Sequence, residues 1–348
     1  FSDFTIIGYS TMNFAQCLLS ASFMFFCMMP IASIAQSATK GEKAPELKYA
    51  LRVDFKDNVY ASYVMDEKTI VNRMYRDSIG KQYQRKVQYN FTQSPQSPQP
   101  SGIEGQAIVC NIDSMKYAFF DGPAQLLYDS QNPKAATVNT EFPDAIANMA
   151  LLNHQFALVY SPKTEVSDVI GVDQPGDIIW LRNYIVKEGK DALDTAQKFT
   201  WMHALKDEQA AWIADVSKQL IPGKIVIAPD SIWKRPIRLR LDGIDFVDTV
   251  EVRIAEYTKG EYVLEAVSKA LTPITDDDAR FFGIPAPVPI QEAKGNGTIR
   301  MELTSSGWVK KVTLKYDAKV TSQYKREQFT QDIKTESTWT LLGRYKWN

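Results

Sequence analysis

Cysteine is scarce in this chain of 348 residues, which contains three. Only Cys110 lies beyond the first 35 residues, so the remainder has no partner for an internal disulfide. Its stability must therefore come from burial of a core. Because Cys110 lies in an apolar, strand-like run, we expect a buried strand cysteine rather than a reactive thiol.

Histidine is scarcer still, with His154 and His203 as the only two. Hydrolytic triads, zinc sites and most proton shuttles depend on this residue. We interpret His154 as a polar turn residue and His203 as a packing residue on the apolar side of a helix. The motifs of zinc proteases, serine hydrolases, phosphate-binding loops and paired cysteines are all missing. We therefore assign no catalytic residue, no cofactor-binding residue, no cofactor and no metal ligand.

An excess of one charge is also lacking, because 40 basic and 41 acidic residues are interspersed along the chain. No basic stripe indicates a nucleic-acid partner. Asp276, Asp277 and Asp278 could bind Ca²⁺ weakly, but they lack the spacing of a calcium loop, and a solvated loop is the favoured interpretation. A glycosidase needs two carboxylates that face each other across a cleft, and the sequence does not test this.

The most informative segment present is an uncharged apolar run from Phe14 to Ile34. It ends in Ser33-Ile34-Ala35 before the polar Gln36, as a signal-peptidase site does. Residues 1–35 are therefore predicted to be a signal peptide. The alternative is a retained N-terminal anchor, and no Lys or Arg precedes Lys40 to form the usual positive start. Either way we expect an exported bacterial protein, periplasmic or extracellular, that meets a membrane only through an uncleaved leader.

Alternation of apolar and polar side chains dominates the rest of the chain. In residues 312–321 the apolar Val312, Leu314 and Tyr316 alternate with Thr313 and Lys315. Similar alternation occurs in residues 86–91, 237–242 and 250–254. Side chains alternate between the two faces of a strand, so these segments predict antiparallel sheets with one apolar and one wet face.

A different period appears in the middle of the chain. Residues 178–185, 191–203 and 207–221 each place apolar side chains on one helical face, and Pro222-Gly223 ends the last of them. The fold class predicted is mainly β (α+β), with two related antiparallel β-sheet units, curved or half-barrel in form, joined by a short helical segment. The boundaries predicted are an N-terminal β-rich unit at 36–172, a helical insert at 173–223 and a C-terminal β-rich unit at 224–348.

The two β-rich stretches show signs of an internal repeat. At an offset of 143 positions, apolar residues around Phe156 match those around Ile299. Each copy then has a four-residue polar turn, at 161–164 and at 304–307. Hairpins resemble one another by chance, so this pattern indicates a divergent duplication without establishing one.

Short motifs resemble those of an exported bacterial family of unknown function, the domain of unknown function 6263 family. They are Pro229-Asp230-Ser231-Ile232-Trp233, residues 297–299, residues 306–311 and the turn at 161–166. Thr164 stands where the family usually has Gly, and Pro229 precedes Asp230 where Gly is usual. The resemblance covers most of the chain after residue 35. It implies an architecture and a compartment, but lends no activity and no catalytic residue.

Three functions follow as hypotheses. The first is a non-catalytic binding or structural role, in which the apolar faces enclose a hydrophobic or lipid-like small molecule or contact an envelope component. The alternative is a carboxylate-dependent hydrolase that acts on envelope glycans. A third option is an assembly subunit that uses an exposed strand edge. The sequence leaves the oligomeric state open.

Overall fold

The architecture is described from a computed structural model. It covers residues 48–56, 58–76, 78–96, 105–132, 148–149, 151–163, 165–172, 207–274, 279, 281–282, 284 and 288–346. These residues contain fourteen strands and one helix. The elements are β1 (Tyr49–Leu51), β2 (Val59–Tyr75), β3 (Ser78–Pro95), β4 (Gln106–Asp121), β5 (Ala124–Asp129), β6 (Gln155–Tyr160), β7 (Val166–Ile170), α1 (Asp207–Ala214), β8 (Ile225–Ile227), β9 (Ile232–Leu241), β10 (Ile244–Thr258), β11 (Glu261–Pro273), β12 (Ile290–Thr304), β13 (Val309–Tyr324) and β14 (Glu327–Lys346).

Twelve of the strands form a single antiparallel sheet. Its order is β7-β6-β4-β3-β2-β14-β13-β12-β11-β10-β9, with β5 paired to β4, and β1 and β8 form a separate two-stranded ribbon. The strands of 36–172 and those of 224–348 occupy contiguous halves of this sheet, which meet where β2 pairs with β14. The prediction of a mainly β, antiparallel fold is confirmed.

The sheet is strongly curved. Five strands lie between β3 and β10, yet the Tyr83 hydroxyl on β3 donates a hydrogen bond of 2.6 Å to Asp242 in the β9–β10 turn. Helix α1 contacts both β7 and β9, the two edge strands. The sheet therefore curls until its edges approach each other, and α1 lies between them without the sheet closing.

Alternation places the core on the inner side of the curve. On β13, Val312, Leu314 and Tyr316 are buried while Lys315 and Asp317 are exposed. The same pattern runs along β2 and β14. We call the inner, buried side the dry face and the outer, solvated side the wet face. Opposite charges lie side by side on the wet face, where Lys315 and Glu336 are 2.8 Å apart.

A close approach in β12 requires glycine. A Cβ on Gly297 would lie 2.4 Å from the ring of Tyr316 on the neighbouring strand, far inside van der Waals contact. Without that carbon, the Tyr316 ring lies flat against the β12 backbone, and its hydroxyl donates to Asp248 at 2.8 Å. Tyr316 thereby connects β13 to β10 across the dry face.

Over residues 207–221 the structure differs from the single helix that the sequence predicts. Helix α1 ends at Ala214, and residues 216–219 form turns instead. Asp215 stops the helix because its carboxylate accepts hydrogen bonds from the Ser217 backbone and hydroxyl, a local competitor for helical pairing. Lys218 and Gln219 then adopt positive φ angles of 44° and 57°. The expected helices at 178–185 and 191–203 lie outside the described residues.

Both turns of the suggested repeat close in the same way. The Ser161 amide bonds the Glu165 carbonyl at 2.8 Å, and the Thr304 amide bonds the Trp308 carbonyl at 2.9 Å. In each turn the first side-chain hydroxyl also accepts the amide four residues later. This agrees with two similar hairpins, while common descent of the two halves stays a prediction.

Candidate functional site

Two hollows are present among the described residues. The first, which we call the seam pocket, lies where the curved sheet fails to close and has a volume of about 150 Å³. The second is a shallow groove of about 530 Å³ on the wet face, bounded by Lys68, Lys315, Lys334 and Glu336. The seam pocket is the stronger candidate because it lies between the two edge strands and brings Leu239 and Phe246 of the dry face together with Trp212 of α1.

The seam pocket is built from four elements. Its walls are β7, α1 with the turns that follow it, β9 and the start of β10. Leu239 and Phe246 reach it from the dry face, and Trp212 and Ala211 reach it from α1. The two edge strands are also connected directly, since Arg235 of β9 lies 3.4 Å from Glu165, which precedes β7.

Charged side chains make up much of the remaining wall. Arg240 holds Asp245 through one guanidinium nitrogen, at 2.8 and 2.7 Å from the two carboxylate oxygens. The Arg240 Nε atom is buried and has no hydrogen-bond partner. A buried donor without an acceptor is costly, so this N–H would be stabilised by an oxygen atom placed beside it.

Asp215 lies at the back of the pocket in a set of hydrogen bonds. One of its oxygens accepts from the Tyr160 hydroxyl at 2.9 Å and from the Ser217 hydroxyl at 2.6 Å. Burial, together with the nearby Asp215 charge, raises the pKa of Tyr160 well above its usual value. Tyr160 therefore stays protonated and remains a donor to the carboxylate.

Lys218 is the most unusual residue of the pocket wall. Its ammonium nitrogen donates to the Trp212 carbonyl at 2.8 Å and lies 3.7 Å from the ring centre of Trp339 and 4.7 Å from that of Trp212. The residue is only 4% exposed. Desolvation lowers the pKa of Lys218 to about 7. The charges of Asp215 and Glu67 raise this pKa, but their effect is smaller. Cation–π contact with the two indole rings partly compensates for the hydration that the ammonium group loses on burial.

Behind the pocket, the dry face carries a band of buried polar side chains. Trp212 donates its indole N–H to Glu67 at 2.8 Å. Arg85 lies between Glu67, at 3.2 Å, and Asp242, at 3.4 Å. Asp242 also accepts from Gln331 at 2.9 Å. The alternation predicts an apolar face here, whereas the structure has a network of polar side chains on it. This network connects α1 to the β9–β10 turn through the interior of the sheet.

The residues singled out from the sequence lie elsewhere. Cys110 is buried on β4, as expected, and burial raises its pKa to about 12, so the thiol does not ionise near neutral pH. His154 is buried rather than solvated, and its ring bonds the Gly171 carbonyl. His203 and the acidic run 276–278 lie outside the described residues. Lys218 was not predicted as a site residue, because the helix expected over residues 207–221 extended past it.

Neither a metal-binding cluster nor a membrane-spanning helix occurs among the described residues. Within the described ranges, no three His, Cys, Asp or Glu side chains come together as a metal-binding group. No helix among these residues combines the length and hydropathy needed to cross a bilayer.

Comparison with known proteins shows no family for this chain. No protein-family model matches this chain, and no curated protein sequence matches it. A lipovitellin structure, described in terms of lipid–protein interactions, is similar over 85% of this chain with 9% identity and a TM-score of 0.45. This chain spans 26% of that lipovitellin chain. The outer membrane protein opdK from Pseudomonas aeruginosa covers 84% of this chain and all of its own, at 7% identity and a TM-score of 0.18. Similarities this low carry no argument about ligands.

The buried amine predicts a specific pH dependence. Between pH 7 and about 9.5, unfolded Lys218 keeps its proton while folded Lys218 releases it. The unfolded chain then binds more protons, so the free energy of unfolding rises with pH over this range. Lys218→Met is expected to remove that part of the slope, measured by urea unfolding at several pH values. Lys334→Met, at an exposed wet-face lysine, is the control and should leave the slope as it is; equal slopes in all three proteins would contradict the prediction.

Proposed function

We propose that this chain is a non-catalytic binding protein that holds a small hydrophobic or amphipathic molecule in the seam pocket. The observation that carries the proposal is that this pocket opens the otherwise covered dry face to the outside. Leu239, Phe246 and Trp212 supply apolar walls there. Ligand pockets combine such walls with a few polar groups that fix orientation.

The size of the pocket limits the ligand. A cavity of roughly 150 Å³ lined by apolar side chains accommodates a benzene-sized molecule. The seam pocket, at about 150 Å³, therefore suits a single ring or a short alkyl segment. A longer lipid would leave most of its chain outside the volume bounded by the described residues.

The polar wall suggests one oxygen on the ligand. Arg240, whose Nε–H has no partner, and Lys218 are donor residues in the wall of the seam pocket. A carbonyl, hydroxyl or carboxyl oxygen would satisfy one of them, which is why an amphipathic molecule fits better than a pure hydrocarbon.

The glycan hydrolase alternative has weaker support. Five carboxylates line the seam pocket, Asp168, Asp207, Glu208, Asp215 and Asp245. Asp215 is already held by Tyr160 and Ser217, and Asp245 by Arg240. A general acid must present a carboxyl oxygen to the leaving group, and these hydrogen bonds already occupy the oxygens of Asp215 and Asp245.

Export and family membership belong to the same proposal. The apolar run before Gln36 supports an exported protein of the bacterial envelope or exterior. The resemblance to the domain of unknown function 6263 family supports the same compartment. Fractionation of the native host, with this chain found in the cytoplasm, would contradict it.

Binding is testable by tryptophan fluorescence, because Trp212 lines the pocket. Titration with benzyl alcohol and with octanoate is expected to change the emission of the full chain in a saturable way. Ala211→Leu adds carbon atoms to the pocket wall and should weaken binding at least about tenfold, the effect of roughly 1.4 kcal/mol. Thr340→Leu, on the wet face, is the matched control and should bind normally.

Three results would overturn the proposal. One is the absence of saturable binding by either probe. The second is equal binding by the Ala211→Leu and Thr340→Leu variants, which would place the ligand elsewhere. The third is turnover of a panel of envelope glycans, which would favour the hydrolase. Circular dichroism confirms that each variant is folded before the titration.

A further inference from the structure

Lys218 has too few partners for a permanently charged amine. An ammonium group has three N–H donors. Here one of them meets the Trp212 carbonyl, and the other near neighbours are the indole faces of Trp212 and Trp339. No carboxylate among the described residues lies within ion-pair distance of Lys218. A buried cation without a carboxylate is expensive, so this environment tolerates the neutral amine better than most sites do.

The carboxylates nearest Lys218 raise its pKa, but both accept hydrogen bonds from other side chains. Asp215, three residues earlier, accepts hydrogen bonds from Tyr160 and Ser217. Glu67, on β2, accepts from Trp212 and Arg85. Desolvation outweighs both carboxylates and brings the pKa of Lys218 to about 7. About half of the molecules then carry a free amine lone pair at neutral pH.

Lys218 is one of the residues that line the seam pocket, and so is Trp212, whose carbonyl its amine contacts. A neutral lysine in a hydrophobic pocket is a nucleophile toward carbonyl carbon, whereas an ordinary hydrated lysine is almost fully protonated. The pocket beside it suits a single ring, and its other donors suit an oxygen-bearing ligand. An amine, a ring-sized hollow and donors for a carbonyl oxygen thus occur together.

We propose that Lys218 forms a reversible imine with a small aldehyde or ketone held in the seam pocket, an inference that rests on the binding role proposed above. The lysine nitrogen forms a bond to the carbonyl carbon. The carbonyl oxygen leaves as water with the two amine hydrogens, so no oxidant, reductant or further reactant is needed. The chain would then retain carbonyl compounds more tightly than alcohols of the same shape.

The test uses the full chain with benzaldehyde as the probe and cyanoborohydride to reduce any imine to a stable benzylamine. Peptide mapping by mass spectrometry gives the rate of modification at each lysine. At pH 7 an amine of pKa 7 is on the order of 10³-fold more deprotonated than one of ordinary pKa, although its lower basicity reduces its reactivity. We expect Lys218 to react at least about tenfold faster than the exposed Lys68 and Lys334.

The pH profile and a pocket variant separate this role from simple accessibility. Modification of Lys218 should level off above about pH 7, while exposed lysines should continue to accelerate toward pH 10. Ala211→Leu should slow modification of Lys218 at least about tenfold and leave Lys334 unchanged, because only the pocket is filled. Neither measurement requires replacement of Lys218 itself.

Each outcome decides a different statement. If Lys218 reacts no faster than Lys334 while benzyl alcohol still binds, the imine inference is wrong and the binding role stands. If neither probe is bound nor trapped, both are wrong. If trapping at Lys218 is fast in wild type and equally fast in Ala211→Leu, the amine is reactive from outside the pocket, and the inference as stated is overturned.

Discussion

Replacing Trp339 by alanine is expected to destabilise the protein by about 3–5 kcal/mol, as removal of a buried large aromatic side chain usually does. Trp339 is completely buried on β14. Its ring packs edge-on against Trp212 with centroids 5.4 Å apart, and its N–H donates to the Ile213 carbonyl at 2.8 Å. The substitution therefore leaves a cavity and removes the connection from the middle of the sheet to α1. Urea unfolding followed by circular dichroism measures the effect.

Trp339→Phe is the matched variant for this prediction. It keeps an aromatic ring near Lys218 but loses the hydrogen bond to the Ile213 carbonyl, one of the last carbonyls of α1. We expect a loss of about 1–3 kcal/mol, because a buried acceptor is left unpaired. Equal losses for the alanine and phenylalanine variants would show that the hydrogen bond, not the packing, dominates.

Arg85→Met is expected to cost about 3–5 kcal/mol, because breaking a buried ion pair leaves a buried charge without compensation. Arg85 lies between Glu67 and Asp242, and all three side chains are less than 10% exposed. Methionine fills part of the volume but supplies no donor. Urea unfolding at neutral pH measures this loss.

Arg253→Met provides the control for this substitution. Arg253 is on the wet face, 62% exposed, and its ion pair with Glu265 is surrounded by water. An exposed pair of this kind contributes about 0–1 kcal/mol, so the variant should unfold nearly as wild type does. A loss for Arg85→Met no larger than that for Arg253→Met would mean that the buried network contributes nothing to stability.

Local alternation predicted four of the fourteen described strands, β3, β9, β10 and β13. The alternation of Val312, Leu314 and Tyr316 was sufficient to assign β13 and the face that it buries, because strand geometry places every second side chain on the same side. Local patterns did not predict which strands pair with one another. Arg73 and Gln331 meet on adjacent strands although 258 positions separate them, and no local pattern encodes which distant strands will pair.

The site was harder to predict for two physical reasons. Glu67 and Arg85 stand at positions of the alternation that face inward, but polarity alone indicates solvent until the opposing charge is known. Arg85 and Asp242 are 157 positions apart. Lys218 was assigned to a helix that in fact ends at Ala214, because the Asp215 carboxylate competes for the backbone amides. Sequence periodicity does not report such side-chain competition.

The central position of β14 has a consequence for biosynthesis. Its neighbours in the sheet are β2, made early, and β13, made immediately before it. Until Glu327–Lys346 emerges from the ribosome, the chain consists of two separate half-sheets, each with an unsatisfied edge. Native assembly must then wait until β14 has been made, which leaves an interval in which a chaperone could hold the polypeptide before it folds.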